Sequence, residues 1–270
     1  TLYERDSQAL DRIISHILED CVASESVKSA ELHRQGVMTL LTEAVKGIQH
    51  GIHTNGLAVV KSLVKLVRQS PSRSSIHIVI GSLTSIIHYT TPETFQPVAK
   101  VIVDELAITE DAVTDDFASF ASQIIFALVS VRKAARIEEW SGIVKLVSTL
   151  VKAGTKQPLY NAKTKSQVLS SLAVIMQSAP IESVLPALGL LDMTRSQEWI
   201  PHFLAFCDLF ARLGDERYQQ FVVPHLQKFV IAHWKQDPTT LLQQLPRLAA
   251  SGPDTKMQCP KEMQQYVLEQ

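Results

Sequence analysis

A nearly all-apolar run over residues 116–131 most constrains what this chain can fold into. After its first residue, Asp116, the run leaves only Ser119, Ser122, Gln123 and Ser130 as polar positions. A helix without a polar face must be covered on all sides. The run is also shorter than the about 20 apolar residues that cross a bilayer. The sequence therefore predicts a central helix that other parts of this protein surround.

The segments on either side of this run repeat their apolar residues at a spacing of three and four. This spacing predicts helices, and no segment shows the strict alternation that is typical of a strand. With the central run, the predicted helices cover residues 10–21, 32–45, 57–67, 76–87, 95–106, 116–131, 137–151, 168–176, 184–191, 199–213, 221–234 and 241–248.

Prolines and glycines predict where several of these helices begin and end. Thr91 before Pro92 is a start signal, because threonine caps a helix and proline suits its first position. Pro180 and Pro238 are expected to open helices in the same way. Pro224 is either a kink inside a helix or a late start. Helix ends are expected at Gly47, Gly154 and Gly214, and close packing at the single glycines within helices, Gly36, Gly81, Gly142 and Gly189.

Twelve helices in 270 residues correspond to about 45 residues per helix pair, which is the period of HEAT and armadillo repeats. The sequence therefore predicts an all-α chain, an α-solenoid of about six antiparallel pairs, with residues 1–270 forming one segment of the array. The alternative is a single globular helical domain with the same helix count. Because the chain begins without Met and ends in another helix-like segment, 261–268, we expect a fragment of a longer protein.

Composition and motifs argue against most kinds of active site. The net charge of −1 excludes a domain held on nucleic acid by overall charge. The 3 cysteines include no CxxC pair, and no secretory leader is visible. His50 and His53 resemble a metal-binding pair, but no third ligand lies nearby in sequence. Nucleophile and phosphate-loop motifs are missing too. We expect a protein that is not an enzyme and has no cofactor and no metal.

Two basic clusters are the remaining candidates for a binding site. The side chains are Arg132, Lys133 and Arg136 in one turn, and Lys152, Lys156, Lys163 and Lys165 around the next. One interpretation is a solvated loop with extended lysines. The other is contact with RNA phosphates or with an acidic partner. Tyr160 is the one aromatic residue nearby that could stack on a base.

A family resemblance lies in the second predicted helix and the turn after it. Residues 36–47 read GVMTLLTEAVKG, and residues 51–56 read GIHTNG. This stretch resembles the large HEAT-repeat U3 small nucleolar RNA-associated scaffold of the small-subunit processome, the down-regulated-in-metastasis family. In that family a helix ending in a similar E-A-[VI]-K-G precedes a short turn with G-[LI]-H-[ST]. The basic-aromatic helix of the family, F-x-R-R-F-A-A-E-S, does not occur here and is expected upstream of Thr1.

The resemblance implies a non-catalytic scaffold in small-subunit ribosome biogenesis, within the 90S pre-ribosome that matures pre-18S rRNA. The expected location is the nucleolus, and the expected partners are assembly-factor proteins and pre-rRNA or snoRNA phosphates, with no membrane and no small-molecule substrate. A general protein-interaction adaptor and an importin-like transport receptor are the alternatives. A transport receptor for basic cargo is expected to be markedly acidic, which a net charge of −1 does not favour.

Overall fold

The computed structural model describes residues 56–68, 73–131, 137–138, 140–156, 159–184, 199–213 and 223–235, with a few single positions outside these ranges. All the regular elements within these ranges are helices, and none of the residues described lies in a strand. The longer helices are α1 Gly56–Arg68, α2 Arg73–Tyr89, α3 Pro92–Leu106, α4 Asp115–Ser130, α5 Trp140–Lys156, α6 Ala162–Ser178, α7 Ile200–Leu213 and α8 Val223–His233. A search of the described helices finds none that could span a membrane.

The helices predicted at 57–67, 76–87, 95–106, 116–131, 168–176 and 199–213 are confirmed. The prediction at 10–21 lies outside the described residues, as does that at 241–248. Of the segment at 32–45, only Gly36 and Thr39 are described, and both are helical. The first residue of the segment at 184–191, Val184, is helical and the others lie outside the description. The pair His50 and His53 lies outside it as well.

The start of α3 at Thr91 and Pro92 is confirmed by its hydrogen bonds. The Thr94 amide donates to Thr91 Oγ1 at 3.3 Å, and the Thr91 amide donates to Thr94 Oγ1 at 3.0 Å. This reciprocal pair satisfies two amides that a helix start otherwise leaves without acceptors. α4 is capped by Thr114, whose Oγ1 accepts from the Phe117 amide at 3.2 Å. Asp115 then stands in the first turn of α4, where the helix dipole favours a carboxylate.

The structure shows the surroundings of several glycines and of Pro224, for which the sequence makes predictions. Gly154 does not end its helix, because α5 continues to Lys156. Gly142 is tightly packed as expected, since an added Cβ would lie 3.0 Å from Val103 Cγ1, whereas one at Gly81 would meet nothing within 4 Å. Close packing is therefore the wrong reason for Gly81, and also for Gly36, where an added Cβ meets nothing within 4 Å either. Pro224 is the second described residue of α8. Residues 221 and 222 lie outside the described residues, so both interpretations of Pro224 stay open. Of the glycines with a predicted role, Gly47, Gly189 and Gly214 lie outside the described residues.

Along the chain, α1 packs against α2 and α3, and α2 packs against α3 and α4. α3 packs against α5, α4 against α5 and α6, and α6 against α5 and α7. α1, α3 and α5 form one set of neighbours, here called the first layer, and α2, α4, α6 and α7 form the second layer. Hydrogen bonds between α4 and α6 join residues 48 and 49 positions apart, Ser119 to Gln167 and Ser171 to Ser122. The two numbers increase together along both helices, so α4 and α6 are parallel neighbours.

The central helix α4 is covered on most sides, whereas its sequence predicts cover on all of them. Nine of its residues are buried, among them Phe120, Ile124 and Ile125 with no exposed surface. Among the large apolar side chains of α4, the exception is Phe126, which is 39% exposed. α4 contacts α2 and α6 on either side in its own layer and α5 in the other. The tertiary neighbours therefore leave one strip of this helix accessible.

Candidate nucleic-acid interface

The second basic cluster lies where α5 ends and α6 begins. Lys152 and Lys156 are four residues apart in the last turns of α5, so they lie on the same side of the helix. Lysine is favourable there, because the helix dipole is negative at its carboxyl end. Lys152 is half-buried. The structure describes the backbone of Lys156 but not the position of its side chain.

Lys163 and Lys165 have opposite environments although they are two residues apart. Lys163 is exposed in the first turn of α6. Lys165 is only 8% exposed, and its Nζ lies 5.5 Å from the ring centroid of Trp199 at the start of α7. A lysine over the face of an indole ring is held by a cation–π interaction. Lys163 therefore remains accessible to a phosphate, whereas Lys165 stabilises the contact between α6 and α7.

Carboxylates line the surface beside Lys163. A cavity of about 140 Å³ is bordered by Lys163, His77, Asp115 and Asp116 together with neighbouring polar side chains. Asp115 accepts a hydrogen bond from the Asn161 amide at 2.9 Å, and Asn161 Oδ1 accepts from the Thr164 amide at 3.0 Å. This chain of bonds fixes the start of α6 against the start of α4. It also places negative charge next to Lys163, which weakens the local attraction for a phosphate.

Tyr160 does not form a stacking platform. Its side chain is 5% exposed, and its hydroxyl donates to the Leu150 carbonyl at 2.8 Å. Burial raises the pKa of the Tyr160 hydroxyl, with a smaller contribution from the Asp115 carboxylate. The ring lies against Gly154 in α5, where an added Cβ would overlap with it. The missing side chain of Gly154 is therefore the space that the Tyr160 ring fills.

The first basic cluster, Arg132, Lys133 and Arg136, lies outside the described residues. The residues that flank it, Val131 and Ile137, are described. Val131 follows the carboxyl end of α4, a helix of 16 residues and therefore about 24 Å long. The second cluster includes Lys163, which lies near the amino ends of α4 and α6. Val131 therefore lies at the opposite edge of the second layer from Lys163.

The histidines that the structure describes do not form a metal site. No group of three or more His, Cys, Asp or Glu side chains is placed to hold an ion in the described part of the chain. His202 Nδ1 and Ser166 Oγ are 2.9 Å apart, which joins α7 to α6. Partial burial lowers the pKa of His202, and the charge of Lys165 lowers it further. His202 is therefore a structural residue at the junction of these two helices.

Sequence reasoning did not identify the pairing of Lys165 with Trp199 or the fit of Tyr160 to Gly154. Trp199 lies 34 positions beyond Lys165 in the chain, and the pairing requires α6 and α7 to lie side by side. A run of lysines cannot indicate which member is buried, because that depends on the neighbouring helix.

One comparison with known proteins gives a match. The chain is 21% identical over 198 residues to U3 small nucleolar RNA-associated protein 20 of Schizosaccharomyces pombe (strain 972 / ATCC 24843). The match covers 73% of this chain and 8% of the relative, so the chain spans a small part of that protein's length. No protein-family model matches the chain. These findings support a distant relation to the U3 small nucleolar RNA-associated protein.

Proposed function

We propose that this chain is a segment of a non-catalytic helical-repeat scaffold that acts in small-subunit ribosome biogenesis. It belongs to the down-regulated-in-metastasis family and works in the nucleolus, within the 90S pre-ribosome that matures pre-18S rRNA. Its helices hold assembly-factor proteins, and its basic residues contact RNA phosphates. The observation that carries this proposal is the similarity to the U3 small nucleolar RNA-associated relative over 198 residues.

The length of that similarity supports more than a local resemblance. The stretch at residues 36–56 covers only one predicted helix and its turn, whereas the match extends over 73% of the chain. A match of that length includes several of the helices that build the two layers. The similarity therefore extends well beyond the length of one helix and its turn.

The contacts between helices support the proposed HEAT-type α-solenoid of about six pairs. Hydrogen bonds between α4 and α6 join residues 46 to 49 positions apart. This separation is close to the 40–47 residues of HEAT and armadillo repeats. An array of six such pairs predicts a radius of gyration in solution clearly above the about 18 Å of a compact globule of this length. X-ray scattering of the purified chain measures it, and a value near 18 Å would contradict the array.

A test of the biological role uses the full-length protein in its own cells. A tagged copy is expected to enrich U3 small nucleolar RNA on purification and to sediment with large pre-ribosomes. Depletion of the protein is expected to cause unprocessed precursors of 18S rRNA to accumulate. A tagged abundant nucleolar protein of unrelated function serves as the control. Purification without U3 RNA, together with normal 18S processing after depletion, would contradict the proposal.

We assign RNA contact to both basic clusters. They are treated as separate contacts, because Val131, which precedes the first cluster in the chain, lies at the opposite edge of the second layer from Lys163. At the second cluster we expect Lys152, Lys156 and Lys163 to contact phosphates, while Lys165 acts indirectly by holding α7. Such contacts are strong only at low salt, because binding releases counterions from the RNA. They do not discriminate between base sequences.

Salt-dependent binding of the 270-residue chain to a single-stranded RNA oligonucleotide tests this assignment. Replacing Lys152, Lys156 and Lys163 by alanine is expected to reduce the slope of log K against log salt by up to about 2, because each phosphate neutralised on a single strand contributes about 0.7. The matched control replaces Lys65, Lys100 and Lys145, three exposed lysines of the first layer, and removes the same charge. Equal reductions in the two triple variants would show that only net charge matters. The triple replacement of Arg132, Lys133 and Arg136 tests the first cluster in the same assay.

A further inference from the structure

We propose that the accessible side of the second layer is a docking surface for an uncharged helical segment of a protein partner. The proposal goes beyond the RNA contacts above and does not depend on them. The surface, here called the uncharged face, consists of the exposed and half-buried positions of α2, α4 and α6 beyond their first turns. These positions are His77, Ile80, Gly81, Thr84, Ser85, His88, Tyr89, Ser119, Gln123, Phe126, Ala127, Ser130, Ser166, Gln167, Ser170, Gln177 and Ser178.

Three separate parts of the sequence contribute to this face, and each lacks charge. Residues 74–92, 117–131 and 166–181 contain no Asp, Glu, Lys or Arg. Each run taken alone indicates only a buried helix. The structure places α2, α4 and α6 side by side in one layer, so the three runs join into one continuous surface. Soluble proteins usually distribute charges over such a surface.

The first layer shows the contrast within the same molecule. Its exposed positions include Lys61, Lys65, Lys100, Asp104 and Lys145. Two ion pairs lie there, Lys61 with Glu105 at 3.2 Å and Lys100 with Asp104 at 3.6 Å. The lack of charge is therefore a property of the uncharged face and does not reflect the composition of the whole chain. The core of a protein–protein interface is depleted of charge in the same way.

Hydrogen bonds within the second layer already engage the polar groups of the uncharged face. Ser119 Oγ donates to Gln167 Oε1 at 2.7 Å, and Gln123 Nε2 donates to the Ser119 carbonyl at 3.2 Å. Ser170 Oγ donates to the Ser166 carbonyl at 2.8 Å. Covering a polar group is costly only when its hydrogen bonds are lost. A partner can therefore cover this face without leaving these donors unsatisfied.

Two aromatic side chains and short neighbours give the face the shape of a docking site. Phe126 is 39% exposed and Tyr89 is 42% exposed, and large aromatic residues commonly contribute most to binding energy. Small residues such as Gly81, Ser130 and Ala127 stand on the same face. Short side chains allow the backbone of a partner helix to approach closely.

The size of the face and its lack of charge identify the partner. Three helices about 24 Å long and 8–10 Å apart present roughly 600 Å², of the same order as the about 800 Å² per partner of a standard interface. RNA is unsuited to this face, because the phosphate contacts that dominate its affinity need positive charge. A helix with an apolar or uncharged polar side fits both the composition and the shape.

Site-specific photo-crosslinking of the full-length protein in cells tests the proposal. A benzophenone amino acid replaces Phe126, and in a second version Thr84, on the uncharged face. The control position is Lys145, which is exposed on the first layer. We expect positions 126 and 84 to capture the same partner protein through a peptide with few charged residues, while position 145 does not capture it. The yield should persist at high salt.

A charge placed on the face decides between a specific site and chance contact. Phe126→Lys is expected to reduce the yield at position 84 about tenfold or more, since a central interface residue is lost and an uncompensated charge is buried. Lys145→Glu should leave that yield unchanged. Circular dichroism confirms that both variants fold. Capture of RNA, of a second copy of this chain or of a strongly charged segment overturns the proposal, as does an absence of adducts at both positions.

Discussion

Replacing Gly154 by alanine tests whether the packing of Tyr160 holds α5 against α6. An added Cβ at Gly154 would overlap with Cε2 and Cδ2 of the Tyr160 ring and would lie 3.1 Å from Trp199 Cζ2. The ring cannot move freely, because its hydroxyl donates to the Leu150 carbonyl at 2.8 Å. Gly154→Ala therefore requires the ring or the backbone of α5 to shift.

The magnitude follows from three opposing contributions. Overpacking a filled site destabilises by about 1–3 kcal/mol, and the loss of the Tyr160 hydrogen bond adds about 1 kcal/mol. Alanine stabilises a helix by up to about 1 kcal/mol relative to glycine. The net expectation is a loss of about 2 kcal/mol, which lowers the melting temperature by roughly 4–8 °C for a chain of this size.

Gly81→Ala is the matched control, because it makes the same chemical change in the middle of α2. An added Cβ there meets nothing within 4 Å, so we expect a gain of about 0.5–1 kcal/mol from helix propensity alone. Urea and thermal unfolding followed by circular dichroism measure both variants. We therefore predict that Gly154→Ala lowers the free energy of unfolding and that Gly81→Ala raises it.

A double-mutant cycle identifies the clash. In a Tyr160→Ala background, Gly154→Ala should become neutral or stabilising, because the ring that it meets is gone. If Gly154→Ala stabilises the parent protein as Gly81→Ala does, the packing described around Tyr160 is wrong. Equal destabilisation in both backgrounds would instead place the strain in the backbone of α5.

Three further predictions concern stability. Ile125→Asp places a charge at a position with no exposed surface in α4 and should destabilise by more than about 4 kcal/mol in urea unfolding, whereas Phe126→Asp at an exposed neighbour should have a much smaller effect. Asn161→Ala removes the side-chain cap of α6 and the bond from Asn161 Nδ2 to Asp115, while the bond from the Asn161 backbone amide to Asp115 is kept. The expected loss is about 1–2 kcal/mol; a loss no larger than that of Lys163→Ala would contradict this role. Because the folded pKa of Tyr160 is raised above its unfolded value, the stabilisation is complete below about pH 10 and decreases as pH rises further. Tyr160→Phe should therefore lose less stability than the parent between pH 9 and 11 in alkaline unfolding curves, and parallel curves would count against burial of the hydroxyl.

The local sequence determines where several of the described helices begin, and much of which residues are buried. α3 starts at Pro92 because Thr91 exchanges hydrogen bonds with Thr94, three positions further along the chain. Contacts over so short a distance in the chain can be predicted from the sequence. The apolar spacing of 116–131 likewise predicts a covered helix without knowledge of what covers it. All-helical structure follows from the same spacing in every described segment.

The tertiary structure alone decides which of two similar residues is buried and which faces join into one surface. Lys163 and Lys165 are equivalent in sequence, yet Trp199 buries only the second. Gly154 has the sequence position of a helix end, but the ring of Tyr160 makes it a packing site within α5. The uncharged face exists only because helices next but one in the chain lie side by side. The spacing of apolar residues shows which side of a helix is apolar. Burial and surface chemistry depend in addition on neighbours that are tens of residues away in the chain.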